Sequence, residues 1–193
     1  MTETKNSVST DTLRDRLLIA GTNEIGLHGI ADFSLRRVAA SCNTSCAAPY
    51  RHFKNKEEFI LEIIRYINRQ WELLRDQILS LFEGDIRKQL IEVCVAYIRF
   101  WVANPNYRSV LAASEKTLDE KQAGERAKNS ADIGELFQKF CAVQGIGEQE
   151  TARKLCTVKA VLYGMTAMLE NGELPNDAGT FDMIRGILEK EIE

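Results

Sequence analysis

Proline is scarce in this chain, three in 193 residues, and no alternating run of β-branched residues occurs; both absences argue against a sheet. No uncharged apolar run reaches the roughly 18 residues that a membrane span needs. Residues 1–10 are polar where a secretory leader would be apolar. The expectation is a cytoplasmic protein with no membrane partner. Histidine occurs twice, at His28 and His52, and neither stands beside a nucleophile at a motif spacing. There is no glycine-rich phosphate loop either. No catalytic residue, cofactor or metal is therefore expected, and the chain reads as a non-enzyme. Cysteine is few and odd in number (Cys42, Cys46, Cys94, Cys141 and Cys156), which without a leader does not make a disulfide framework. Cys42 and Cys46 offer too few ligands for a metal at their spacing. The sequence leaves open whether either senses redox state.

What remains is helical periodicity at a length that can bury a substantial core, so the fold class is all-α. A polar tail of residues 1–10 is expected to be mobile, with Lys5 within reach of a partner. Residues 11–56 then form a head, and residues 57–193 a body. The formal net charge is −3 overall, but the charge is unevenly placed. Residues 1–56 hold eight Lys or Arg against five Asp or Glu, while residues 57–193 hold 17 against 23. A basic end on an acidic body would orient the molecule on a polyanion.

The head contains the most specific pattern. A first helix over 11–28 turns Leu17, Leu18, Ala20, Gly21 and Ile25 inward and ends at Gly29. Ser34 is placed to cap a second helix, with Leu35, Val38 and Ala39 on its apolar side and Arg36 and Arg37 outside. That helix must stop near Ala40. Asn43 follows, the residue after glycine that best tolerates the left-handed backbone of a sharp turn. A third short helix is expected over 46–52, capped by Thr44 or Ser45, with Pro49 in its first turn. Together these make a helix-turn-helix, whose second helix lies in the major groove of double-stranded DNA. Arg36, Ser45, Cys46 and Tyr50 are the candidates to face base edges, Arg36 for a guanine. Arg37, Arg51, His52, Lys54 and Lys56 are the candidates to hold phosphates, His52 having packing or capping as its other option.

Residues 17–59 closely resemble the DNA-binding domain of TetR-type transcriptional regulators. The resemblance is carried by Gly29, Ile30, Phe33, Ser34, Leu35, Arg36, Val38 and Ala39, then by Ser45, Ala47, Ala48, Pro49, Tyr50, Arg51, His52 and Phe53. It closes with Lys54, Lys56, Glu57 and Glu58. The departures cluster in the turn, where Asn43 stands for the usual Gly, Cys42 for Ala and Thr44 for Val. Residues 97–111 and 163–174 resemble, more loosely, the ligand-binding half of one branch of the family. The resemblance implies an unidentified small-molecule effector in a cavity of the body, and repression as the family's commonest habit. Trp71, Tyr97, Phe100, Trp101, Tyr107, Phe137 and Tyr163 are the candidate effector-binding residues, each alone as suited to a core as to a pocket.

In the body, Ile60, Ile64, Ile67, Trp71, Leu74, Ile78 and Leu81 recur at steps of three and four and predict one helix of about 25 residues. Helices are expected next after Gly84 up to Trp101, over 107–113, over 131–143, over 148–170 and over 178–191. The charged stretch 114–128 reads as irregular, a lid. The last two helices carry Leu155, Leu162, Met165, Leu169, Phe181, Ile184 and Leu188, the candidates for dimerisation through a four-helix bundle with a second copy. The alternative is that they close the monomer's own core. The expectation is a ligand-responsive repressor that binds a palindromic operator as a homodimer. The competing class is an all-α small-molecule binder, or a protein-recruiting module, without specific DNA binding.

Overall fold

The computed structural model describes residues 12–113 and 120–193, with 112, 113 and 120–130 described as backbone only. The proposed contact of Lys5 and the first part of the expected lid, 114–119, lie outside the described residues. Eight α-helices and no strand occur among the described residues: α1 (Leu13–His28), α2 (Leu35–Ser41), α3 (Lys56–Leu81), α4 (Ile86–Ala103), α5 (Pro105–Ala113), α6 (Glu120–Gln144), α7 (Glu148–Glu170) and α8 (Ala178–Glu191). A 3₁₀ turn, Pro49–Arg51, stands between α2 and α3.

The helix ends follow local chemistry. The Thr12 hydroxyl accepts from the Asp15 N–H at 3.2 Å while the Asp15 carboxylate accepts from the Thr12 N–H at 3.3 Å, a reciprocal cap on α1. Ser34 caps α2 and Asn55 caps α3, the latter accepting from the Glu58 N–H at 2.8 Å. Asn43 has φ 53°, the one non-glycine residue with positive φ among those described, at the turn where the sequence asks for it.

Two expectations give way. The stretch from Glu120 is helical and runs unbroken into α6, with no irregular segment ahead of Ala131. Its Glu, Lys, Gln, Ala and Arg are strong helix formers, and charge alone does not break a helix. The expected α-helix over 46–52 is a turn followed by the 3₁₀ turn. Pro49 has no N–H to give the Ser45 carbonyl, which would be the first bond of that helix. That carbonyl takes the Ala48 N–H instead, at 2.9 Å, and the first four-residue bond runs from Phe53 N–H to the Pro49 carbonyl at 2.9 Å.

The head packs α1, α2 and the start of α3 around Leu17, Leu18, Ile25, Val38, Phe53 and Phe59, all nearly inaccessible. Phe53 and Phe59 meet edge to face at 4.5 Å between ring centres. A β-carbon at Gly21 would overlap the Phe59 ring, so glycine lets α1 and α3 close on each other there. Arg14 of α1 and Arg65 of α3 both engage the Glu62 carboxylate. Burial opposes the charged form of Glu62, yet the hydrogen bonds from Arg65 and Arg14 outweigh it and hold the carboxyl below its ordinary 4.5.

The same hydrophobic core continues from the head into the body through α3, whose Phe59 and Ile63 serve the head and whose Ile67 and Trp71 serve the body. Arg75 ties α3 to Asp132 of α6, and Arg185 of α8 holds both Glu92 oxygens of α4 at 2.8 and 3.2 Å. The C-terminus is fixed by Arg87, which donates to the Ile192 and Glu189 carbonyls at 2.7 and 2.6 Å. Helix α5 lies against α1. Asn106 donates to Asn23 at 3.0 Å and sits directly over Gly26, where a β-carbon would collide with it.

Candidate functional site

Ala48, Pro49 and Phe53 are buried and anchor the segment after the turn, so the residues between and beside them must face out. Ser45, Cys46, Tyr50, Arg51, His52 and Lys54 are all exposed, Tyr50 by 60 %. Arg36 on α2 is exposed as well. Among the described residues neither Arg36 nor Arg51 has a side-chain hydrogen bond or ion pair. His52 is an exposed ring lying 6.1 Å from Phe53, which leaves both of its expected uses open. The head thus presents an exposed basic and aromatic surface on a rigid apolar base.

Two of the cations named for phosphates are already engaged. The Arg37 guanidinium donates to the buried Glu24 carboxylate, at 2.6 Å from Nε, and to the Asp32 carbonyl. Lys56 donates to the Ile30 carbonyl at 3.1 Å and lies over the Phe33 ring. Glu24 is 8 % exposed, an acid that needs a cation beside it. His28, one turn along α1, lies 3.8 Å from the same carboxylate, and Arg37 reaches it from thirteen residues away across a loop.

The candidate effector residues are brought together, but as packing. Trp71 meets Tyr97 edge to face at 5.4 Å and Phe100 at 5.6 Å; Trp101 contacts Tyr97 and Phe100, and Tyr107 contacts Phe100 at 5.8 Å. Phe137 lies fully buried against Phe140, in none of these ring contacts, and Tyr163 is 58 % exposed. The void beside Tyr97 and Tyr163 is about 10 Å³, space for one water at most. Among the described residues, Trp71, Tyr97, Phe100 and Trp101 pack against one another rather than around an open space. Burial, with Tyr163 adding to it, pushes the Tyr97 phenol far up, and burial with Tyr66 pushes Tyr107 up to about 12, so both stay neutral hydrogen-bonding groups. Trp71 is inaccessible, and its indole Nε1 has no hydrogen-bond partner among the described residues.

An open cleft of about 590 Å³ does exist nearby, lined by Val102, Pro105, Arg108, Ser109, Leu169 and Glu170. Arg108 and Glu170 form an ion pair in it. Sequence reasoning missed both residues, which stand on different helices with no motif between them.

Of the seven residues named for dimerisation, Leu162, Leu169, Phe181, Ile184 and Leu188 are buried in the monomer's own core. Helix α8 packs on α4 and α7 through them, which corrects their assignment to a free surface. Leu155 and Met165 are half-buried. What α7 and α8 leave exposed is a face of small and flexible apolar residues: Cys156, Ala160, Tyr163, Gly164 and Met183. Among the described residues no group of three or more potential metal ligands occurs, and no helix is long and apolar enough to cross a membrane.

A small helix-turn-helix head is set on a helical body, and the two share one core through α3. Residues 17–63 match the family model of bacterial regulatory proteins, tetR family. Solved structures agree along nearly the whole chain. A TetR transcriptional regulator from Legionella pneumophila matches with a TM-score of 0.75 at 14% identity, covering 96% of this chain and 100% of that one. A TetR family transcription regulator from Marinobacter aquaeolei VT8 matches at 0.73 and 14% identity, covering 94% and 95%. The transcriptional regulator FadR from Bacillus subtilis, solved in complex with stearoyl-CoA, matches at 0.70 and 14% identity, covering 92% and 97%. No curated relative matches the sequence. The head thus matches the tetR family model over residues 17–63, and the chain as a whole has the fold of TetR-type transcriptional regulators.

Proposed function

We propose that the protein is a ligand-responsive transcriptional repressor that acts in the cytoplasm and binds a palindromic operator as a twofold dimer. The observation that carries this reading is the exposed, largely unengaged set Arg36, Ser45, Cys46, Tyr50, Arg51, His52 and Lys54, held by the buried anchors Ala48, Pro49 and Phe53. Arg36 and the 45–50 segment read base edges, and Arg51 and Lys54 hold phosphates. Arg37 and Lys56, engaged within the head, fix α2 and α3 and reach DNA only as a secondary contact. A short recognition element reads few base pairs, so two heads on a twofold axis supply the missing affinity and specificity.

The apolar face of α7 and α8 around Ala160, Tyr163, Gly164 and Met183 is the proposed contact between copies, with Leu155 and Met165 at its edge. The small residues let the helices approach closely. The effector acts through the body, and α5 carries its effect to the head, because Asn106 rests on Asn23 and Gly26 of α1.

The test is a titration against fragments of the gene's own upstream DNA at two salt concentrations, with excess nonspecific competitor. The expected result is saturable binding that survives competitor, weakens with salt and protects two half-sites about one helical turn or a multiple apart. Binding abolished by competitor, on every fragment tried, would sink the sequence-specific reading. Light scattering on the free protein checks the dimer, with a monomer mass at micromolar concentration as the contrary outcome.

A further inference from the structure

We propose that the cleft between α4, α5 and α7 binds the carboxylate of an apolar small molecule, with Arg108 as its anchor and Glu170 as a built-in competitor that the ligand displaces. This rests on the ligand-responsive reading above and names the chemistry of the ligand and where it docks.

The cleft is about 590 Å³, which suits a small molecule, and joins one cation to an apolar wall of Val102, Pro105 and Leu169. Arg108 already holds a carboxylate there, that of Glu170. A guanidinium fork fits carboxylate geometry, so the resident acid is a stand-in for the group the site recognises. Both partners are reachable from solvent, with side chains 47 % and 21 % exposed, so exchange needs no unfolding. A ligand headed by a carboxylate on Arg108 would lay its apolar body along Val102, Pro105 and Leu169.

The location also matters. Arg108 and Ser109 lie on α5, two and three residues and so within one turn of the point where Asn106 rests on α1 of the head. Replacing Glu170 by a free ligand cuts the ion pair between α5 and α7, while α5 keeps its packing on α1, α3 and α4. The chemistry of recognition and the path to the DNA-binding surface thus share one nine-residue helix.

The experiment is calorimetric titration of the full chain with naphthalene-2-carboxylate and with its neutral isostere, naphthalene-2-carboxamide. The expected result is saturable binding of the carboxylate and at least about tenfold weaker binding of the carboxamide, the scale of a charged hydrogen-bonded contact. The two variants then shift affinity in opposite directions. Arg108→Gln weakens the carboxylate about tenfold or more, whereas Glu170→Gln tightens it, because the competitor is gone. A merely structural ion pair would give both variants the same sign. The chain's two tryptophans, Trp71 and Trp101, both sit in the aromatic cluster, so carboxylate binding should change the intrinsic fluorescence. Equal affinity for carboxylate and carboxamide, no carboxylate binding at all, or variants that move together would overturn the proposal. Calorimetry needs no DNA, so carboxylate binding by a protein that fails the DNA titration would leave this site standing and remove the regulator reading alone.

Discussion

Head and body use the same kinds of residue in opposite ways. In the head, aromatic and cationic side chains named for function face solvent: Tyr50, Arg51, His52 and Lys54 ride on a turn that three buried residues pin down. In the body, the aromatic residues named for function face one another, and Trp71, Tyr97, Phe100 and Trp101 fill the space they were expected to enclose. The difference teaches that a surface that meets DNA is built in advance, because a polyanion is large and cannot be enfolded by so small a domain. A site for a small molecule can stay closed until its ligand competes for the same contacts.

The comparison can be broken most severely at Trp71. Trp71→Ala should cost about 3 to 5 kcal/mol, the scale for emptying a large aromatic site, measured by chemical denaturation. A loss under about 1 kcal/mol would mean the cluster is loosely packed and the cavity already half-open. Next come the adjacent arginines of α2, which the structure separates by role. Arg37→Ala strands the buried Glu24 and should cost about 1 to 3 kcal/mol of stability, whereas Arg36→Ala should leave stability within about 0.5 kcal/mol. In binding assays Arg36→Ala should relax discrimination at one base pair, while Lys54→Ala weakens all sequences alike. Equal stability losses for the two arginines would erase that division.

Gly21→Ala probes the packing of α1 on α3 inside the head, where a β-carbon meets Phe59. Overpacking of this kind costs about 1 to 3 kcal/mol, read as a lowered melting temperature; an unchanged value would show that α1 and α3 can part freely. The mildest effect is set by pH. The Glu62 carboxyl is held below its ordinary 4.5, so its stabilisation is full above that value and is lost as pH falls through the lowered one. Glu62→Gln should therefore flatten the acid limb of a melting-temperature profile, and an unchanged limb would place the acid sensitivity elsewhere.

Much of the fold was legible because helix ends are local events. Ser34, Asn43 and Gly29 mark their boundaries with their own side chains or their own backbone freedom, and the steps of three and four from Ile60 to Ile78 mark α3 without any tertiary knowledge. The short element after the turn was misread because Pro49 withholds one N–H, a single absent bond that decides between α and 3₁₀. The stretch from Glu120 was misread because its charge was taken for irregularity, although its residues favour helix. The site was legible in the head, where neighbours in sequence are neighbours in space. It was opaque in the body, where Arg108 and Glu170 meet only after α5 and α7 have packed, and where Leu162, Ile184 and Leu188 serve an interior that periodicity cannot tell from an interface.

Helix α3 joins the two regimes as one uninterrupted rod of 26 residues, about 39 Å long at the rise of an α-helix. Treated as a lever, it converts angle into distance. A tilt of about 5° at its body end carries its head end roughly 3 Å, which is close to the step of about 3.4 Å between base pairs. On the proposed reading, a body rearrangement no larger than the swing of one guanidinium would be enough to put a head out of register with its groove.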